Sequence, residues 1–344
     1  MATALERDTA SRPDVRRSSV LADLVALTKP RVISLLLVTT IAPMFATGGA
    51  LPAWSLVMVV ALAGYLMAGG ANAINMWFDR DIDQRMARTR LRPVPAGRIA
   101  PLVALAFGVG LAAIAFGLFW HLVNPLSAWL ALAGLLCYVF IYTIWLKRSS
   151  PQNIVIGGAA GAVPALVGWA AVTGHLDLTA LYLFAIIFFW TPPHFWALAL
   201  IKRHDYASAG VPMLPVVRGE QRTRLQMLIY ALMLVPLTLM PVTWGAFGWL
   251  YAVSAALLDA VFLWYCLRLL TSAGTPAAWK LYRYSLVYLF LLFVAMPIDR
   301  HLAPASAPPP SVTLRLTRLG ARREASKPNE AHHLLHLAPL EDDH

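Results

Sequence analysis

Long apolar runs separated by short polar connections make up most of the chain. The runs lie near 32–48, 53–78, 101–120, 126–146, 153–173, 178–201, 225–246, 249–270 and 281–298. A helix needs about 20 mostly apolar residues to cross a bilayer, so the pattern predicts an all-α, polytopic membrane protein with about nine transmembrane helices. Pro236, Pro241 and Gly245 interrupt the stretch 225–270 and leave its division open.

Composition supports lipid as the main solvent. Of 344 residues, 59% are hydrophobic and only 13% are charged. Soluble domains carry roughly 25% charged residues, which excludes an ordinary cytosolic globule, and a disordered chain would be far less hydrophobic. Cys137 and Cys266 lie inside apolar runs, so they read as small buried hydrophobes without a disulfide or CxxC site.

The net charge of +11 sits in the connections. Basic residues populate the amino-terminal arm and every second connection after it, whereas the intervening short connections have none. Cytoplasmic loops carry such an excess, so the amino end is expected inside and the carboxyl end outside, and no nucleic acid is expected as a partner. Residues 1–29 are polar and mixed in sign, unlike a cleavable signal peptide. They are expected to form a cytoplasmic arm ahead of a membrane domain at 30–298. The tail 299–344, rich in Pro, Ala and charge, reads as a disordered extension that includes His332, His333 and His336. The expected location is a bacterial inner (plasma) membrane, because a mitochondrial presequence is poorer in acids.

Function should sit where this chain concentrates its scarce polar residues. Asn75, Asp79, Asp81 and Asp83 cluster at the cytoplasmic end of the second run. At 100° per residue, positions 75, 79 and 83 share a helix face and Asp81 points elsewhere. Carboxylates at a helix C-terminus oppose its dipole, so the group wants a cation. Mg²⁺ is one answer, since it takes one or two carboxylates and completes its shell with water and substrate phosphates. Neutralisation by Arg80, Arg85 and Arg88 is the other. The loop that follows carries five arginines and is stiffened by Pro93, Pro95 and Gly97.

A second basic connection holds Lys202, Arg203, His204, Asp205 and Tyr206, then Val211-Pro-Met-Leu-Pro-Val-Val-Arg-Gly219, a faint echo of the first about 125 residues earlier. Lys147 and Arg148 end the fourth run just before Asn153, either to contact phosphate or to anchor the helix end by snorkelling. His194 lies in Trp190-Thr-Pro-Pro-His-Phe-Trp196. It is either a satisfied buried histidine or the lining of a ligand cavity, since a Pro pair frees backbone groups inside the bilayer.

Together these segments resemble the UbiA-type intramembrane prenyltransferases. The resemblance rests on Asn75-Met-Trp-Phe-Asp79-Arg-Asp-Ile-Asp83 followed by Arg88-Thr-Arg-Leu-Arg92-Pro-Val-Pro-Ala-Gly97. Likeness to the haem-modifying branch rests on Leu27-Thr-Lys-Pro-Arg-Val32, Trp145-Leu-Lys-Arg-Ser-Ser-Pro-Gln-Asn153, the His194 segment, and Asp205-Tyr-Ala-Ser-Ala-Gly-Val-Pro-Met-Leu-Pro-Val216. It covers roughly residues 25 to 298.

The resemblance implies nine helices around a central cavity capped by polar motifs on the cytoplasmic side. It implies farnesyl diphosphate as donor and haem b as acceptor, with Mg²⁺ held by Asn75, Asp79 and Asp83. Asp205 is a further metal candidate, in a second motif that has lost its other acids. Lys147 and Arg148 would join the catalytic set. Arg31, Arg88, Arg92, Tyr142, Asn153, His194, Lys202 and Tyr206 would contact substrate. Haem carries propionates, for which Arg31, Arg92 and Lys202 are available partners, and residue type alone makes His194 a candidate axial ligand. Trp77, Phe78, Trp190 and Trp196 offer faces for an allylic cation. Haem A synthase or oxidase-assembly factors would be neighbours in the bilayer. Two other readings are a prenyltransferase for a quinone or chlorophyll-type acceptor and a transporter, whose ionisable groups lie near the midplane instead.

Overall fold

A computed structural model describes residues 19–272 and 274–302, and no strand occurs among them. The helices are α1 (Val20–Thr28), α2 (Pro30–Ala46), α3 (Trp54–Phe78), α4 (Arg80–Arg85), α5 (Pro101–Leu122), α6 (Pro125–Leu136), α7 (Lys147–Ser149), α8 (Asn153–Thr173), α9 (Leu178–Ile201), α10 (Arg203–Ser208), α11 (Leu214–Val217), α12 (Glu220–Thr243), α13 (Trp249–Thr271) and α14 (Pro276–Leu302). A π-helical segment, Cys137–Leu146, joins α6 to α7 in one continuous span.

Among the described residues, eight helical spans are long and apolar enough to cross a membrane. A ninth span results if α1 and α2, bent by 43° at Lys29, are taken together. The protein is therefore a polytopic helical membrane protein, and the nine apolar runs correspond to these spans. Pro236 and Pro241 do not divide α12, which runs through both. Residues 303–344 of the tail, with their histidines, lie outside the described residues, as do residues 1–18 of the arm.

The arm contains a helix that hydropathy does not reveal. Ser19 caps α1 by accepting a hydrogen bond from the Ala22 amide at 3.2 Å, and α1 buries Leu27 in a cluster with Ala73, Met76 and Ala104. Nine residues containing an aspartate are too few to register as an apolar run. Pro30 supplies no N–H, so it starts α2 without loss. It also pushes the residue before it out of the right-handed helical region, and Lys29 turns the chain with φ 57°.

Helices α8 and α9 form the inner wall, with 61% of their apolar windows buried, against 22% for α5 and 28% for α12 and α13. In lipid an outer helix stays apolar all round because its backbone groups are bonded internally. Neighbouring pairs run α2 to α3, α3 to α5, α5 to α6, α6 to α8, α8 to α9, α9 to α12, α12 to α13, α13 to α14 and α14 back to α2. Small residues allow the closest contacts. A Cβ on Gly168 of α8 would stand 1.7 Å from the Thr40 carbonyl oxygen of α2, and one on Gly70 would stand 2.6 Å from that of Gly108. Exposed Trp54, Trp120, Trp129 and Trp249 mark one end of the bundle and Trp145, Trp264 and Trp279 the other, as interfacial belts do.

Candidate active site

Helix α3 presents Asn75 from its last turn and breaks at Asp79, where α4 begins. The break keeps Asp79 and Asp83 inward, 0% and 1% exposed, and turns Asp81 outward. Each inward carboxylate has a cation. Lys147 Nζ bonds Asp79 Oδ2, and Arg92 Nη1 bonds Asp83 Oδ2 at 2.7 Å. Asp81 receives both Nη1 and Nη2 of Arg148 at 2.7 Å. That fork holds the Asp81 carboxyl at about 2, below the usual carboxylate value. Arg148 also covers the Phe78 ring at 4.7 Å.

The Asn75 amide is used at both ends. Its Nδ2 donates to Asp79 Oδ2 at 2.7 Å and to Thr143 Oγ1 at 3.1 Å, and its Oδ1 accepts from Lys29 Nζ at 3.0 Å. Thr143 lies in the π-helical segment and donates to the Tyr138 carbonyl five residues back, at 2.8 Å. Such segments recur at functional sites. Here the segment places Tyr138, Tyr142 and Lys147 on one cavity.

Two cavities meet below this cluster. The smaller, about 120 Å³, is lined by Asn75, Asp83, Arg88, Arg92, Tyr142, Lys147 and Tyr206 among others. The larger, about 570 Å³, is mostly apolar and lies between α2, α3, α8, α9 and α14. Lys29, Arg88, Arg92, Tyr138, Tyr142 and Phe195 line both. A greasy chamber thus joins a small charged one. The two basic connections also meet, since Ser208 Oγ lies 3.5 Å from the Arg85 carbonyl. Tyr206 and Met213 from the second connection wall the smaller cavity beside Met86 and Arg88 from the first. Burial raises the Tyr206 phenol above its ordinary value, keeping it a neutral donor.

The other expected residues lie elsewhere. Arg31 and His194 line only the larger cavity, and Asp79 sits just behind the smaller one. Arg148 is committed to Asp81. Asn153, at the start of α8, is fully buried and neither amide atom has a hydrogen-bond partner. Lys202 and Asp205 line neither cavity. Asp205 occupies the first turn of α10, which turns Tyr206 inward in its place. Among the described residues no three acidic, histidine or cysteine side chains form a metal group; Asp83 lines the smaller cavity, and Asp79 is buried behind it, bonded to the lining residues Asn75 and Lys147. Both carboxylates leave Oδ1 buried without a hydrogen-bond partner. Arg148 Nη2 stands 3.7 Å from that oxygen of Asp79, and two carboxylates each with an oxygen outside any hydrogen bond suit Mg²⁺, which takes its remaining ligands from phosphate and water.

Of the four aromatic residues expected to face an allylic cation, only Trp190 lines the larger cavity. Trp77 lies under Arg80 and Phe78 under Arg148, while Trp196 packs edge-on against Tyr230. Tyr138, Tyr142 and Phe195 take their place at the junction. Sequence reasoning missed Lys29, Tyr138, Thr143 and Phe195. It also missed Tyr282 and Ser285, whose polar groups recur three residues apart inside an apolar run.

The UbiA prenyltransferase family matches residues 35–294. A protoheme IX farnesyltransferase from Roseiflexus sp. (strain RS-1) is 57% identical over 284 residues, covering 83% of this chain and 53% of the relative. The chain thus spans about half the length of that curated relative. One from Symbiobacterium thermophilum is 51% identical over 291 residues, covering 84% of this chain and 97% of the relative. Among solved structures, digeranylgeranylglyceryl phosphate synthase aligns with TM-score 0.68 and 19% identity over 82% of this chain and 99% of its own. A UbiA homologue from Archaeoglobus fulgidus bound to GPP and Mg²⁺ aligns with TM-score 0.57 and 14% identity over 80% and 99%. Fold, matched span and relatives agree: the chain belongs to the UbiA prenyltransferase family.

Proposed function

We propose that this chain transfers the farnesyl group of farnesyl diphosphate to a vinyl group of haem b, giving the hydroxyethylfarnesyl haem. The observation that carries this reading is the junction itself, a small chamber of four cations and the Asp83 carboxylate opening into a 570 Å³ apolar one. The relatives named above supply the acceptor and the chain length of the donor.

Lys29, Arg88, Arg92 and Lys147 surround the diphosphate, where negative charge grows as the carbon–oxygen bond breaks. Asp79 and Asp83, with Asn75 bonded to Asp79, are the residues that would hold Mg²⁺, which would supply further neutralisation of the leaving diphosphate. Tyr138, Tyr142 and Phe195 present ring faces to the developing allylic cation. The vinyl group attacks that carbon, water adds to the resulting cation, and a proton leaves. The apolar wall excludes bulk water that would otherwise hydrolyse the donor. The acid cluster faces the cytoplasm of a bacterial inner membrane in this reading, because the basic connections surround it.

Purified protein is incubated with haem b and farnesyl diphosphate, and the haem is analysed by mass spectrometry. Farnesylated haem is expected, with its loss in excess chelator and no product from 4-hydroxybenzoate. Undiminished product in chelator removes the metal role, and prenylated benzoate without modified haem removes the acceptor.

A further inference from the structure

We propose that His194 binds the iron of the porphyrin substrate through Nε2, and that Ser285 fixes which ring nitrogen is free to do so. This deepens the reading above and rests on it.

The imidazole is held on three sides. Trp190 stacks on it at 4.4 Å and 17°, Tyr282 at 4.9 Å and 24°, and Phe195 meets it edge-on at 5.0 Å. With its faces covered, the ring reaches other groups only through its edge. One edge atom, Nδ1, lies 2.7 Å from Ser285 Oγ. Ser285 has a single hydroxyl hydrogen and lies 2.7 Å from the Tyr282 carbonyl, which can only accept. The serine therefore donates to the carbonyl and accepts from His194 Nδ1–H. A proton on Nδ1 leaves the lone pair on Nε2.

Nothing among the described residues hydrogen-bonds to Nε2, and His194 lines the larger cavity. The large majority of buried polar side-chain atoms have a hydrogen-bond partner. This histidine spends Nδ1 on α14 and offers the other lone pair to apolar space. Its surroundings are rigid, since Trp190 Nε1 donates to the Ser285 carbonyl at 2.9 Å and ties α9 to α14 at the same point. A neutral imidazole whose far nitrogen is hydrogen-bonded is the usual form of a metal-ligating histidine, and imidazole is a common axial ligand of haem iron. The farnesyl chain has nothing to accept such a lone pair, whereas the porphyrin iron is a Lewis acid that accepts it. Ligation orients the macrocycle in the apolar chamber without drawing on the cations of the smaller one.

The test uses the whole protein with ferrous haem b and no farnesyl diphosphate, read by resonance Raman spectroscopy. An iron–imidazole stretching band is expected in the wild type, absent in His194→Ala and restored there by added imidazole. Ser285→Ala retains the band at lower frequency, because Nδ1–H loses its acceptor, and Ser285→Thr keeps the wild-type frequency. A wild-type haem complex lacking the band, or a band that persists in His194→Ala, overturns the proposal. An unmoved frequency in Ser285→Ala overturns the serine's part. Product formation in the same preparation separates the failures: farnesylated haem with a spectrum indifferent to His194 sinks only this inference, and absence of modified haem sinks the earlier reading.

Discussion

Replacing Lys147 with methionine tests whether the buried Asp79–Lys147 pair is structure, machinery or both. Methionine keeps much of the aliphatic stem and removes the charge. Asp79 is 0% exposed and bonded to Lys147 and Asn75. Stranding one member of a buried pair typically costs about 3–5 kcal/mol. Two contacts remain, the Asn75 amide at 2.7 Å and Arg148 Nη2 at 3.7 Å from Oδ1, so the lower end applies. A loss of about 3 kcal/mol shifts the unfolding equilibrium roughly 150-fold. The double variant Lys147→Met with Asp79→Asn removes both charges and should recover to within about 1 kcal/mol of wild type, as neutral replacements of buried pairs often do. Denaturant unfolding of the four proteins in one detergent gives the coupling directly. Product formation, by contrast, should be lost in both single variants and stay lost in the double. A Lys147→Met protein as stable as wild type refutes the burial argument, and a double variant that turns over normally refutes the catalytic one.

Three further outcomes follow from other parts of the molecule. The Arg148 fork holds the Asp81 carboxyl at about 2, so its contribution is present above the ordinary value near 3.8 and is lost as pH falls toward 2; the thermal midpoints of wild type and Asp81→Asn should differ above pH 4 and converge below it. Gly168→Ala places a Cβ against the Thr40 carbonyl, and because neither backbone can yield, α2 and α8 must part at a cost near the upper end of the usual 1–3 kcal/mol for overpacking, seen as a lowered denaturant midpoint. In α13, Asp259 lies 2.6 Å from both Thr238 Oγ1 and Tyr288 Oη; Thr238 keeps the Val235 carbonyl as an acceptor at 2.9 Å, so Asp259→Ala strands the buried Tyr288 hydroxyl and should cost about 1–3 kcal/mol, with the KM for farnesyl diphosphate unchanged.

Hydropathy alone located the spans, because a lipid-facing helix must be apolar along its length and no folded detail alters that demand. The shared face of Asp79 and Asp83 was equally legible, because the backbone bonds from Asp79 N to Asn75 O and from Asp83 N to Asp79 O carry the four-residue step across the helix break. Asp205 was not, because the direction of a six-residue helix after a chain reversal depends on what packs above it, and α10 turns Tyr206 inward. Trp77 and Phe78 were misplaced for a related reason. They lie beside the acids in sequence, yet the helix rotates them outward, where Arg80 and Arg148 cover them. Two of the aromatic residues that do line the junction come from the π-helical segment, whose wider turn moves Tyr138 and Tyr142 off the positions that a regular period assigns. Ser285 was invisible because its importance lies in a partner 91 residues away.

Lys29 separates an anchor from a working residue. In sequence it is one more basic residue at a membrane edge. In the structure it has φ 57°, lines both cavities and donates to Asn75. A left-handed conformation at a residue other than glycine costs about 1–2 kcal/mol, and such strain persists where the surroundings fix it for a purpose. Lys29→Gly removes the strain and keeps the turn between α1 and α2. It also gives up one hydrogen bond, worth about 1 kcal/mol, and adds backbone freedom to the unfolded chain. These terms nearly cancel, so stability should change little. If the ammonium grips diphosphate, the glycine variant loses activity while unfolding at close to the wild-type denaturant concentration, and Lys29→Asn, which also tolerates the left-handed turn, loses it too. Full turnover in Lys29→Gly would return this lysine to the role of a membrane-edge anchor and remove it from the diphosphate site.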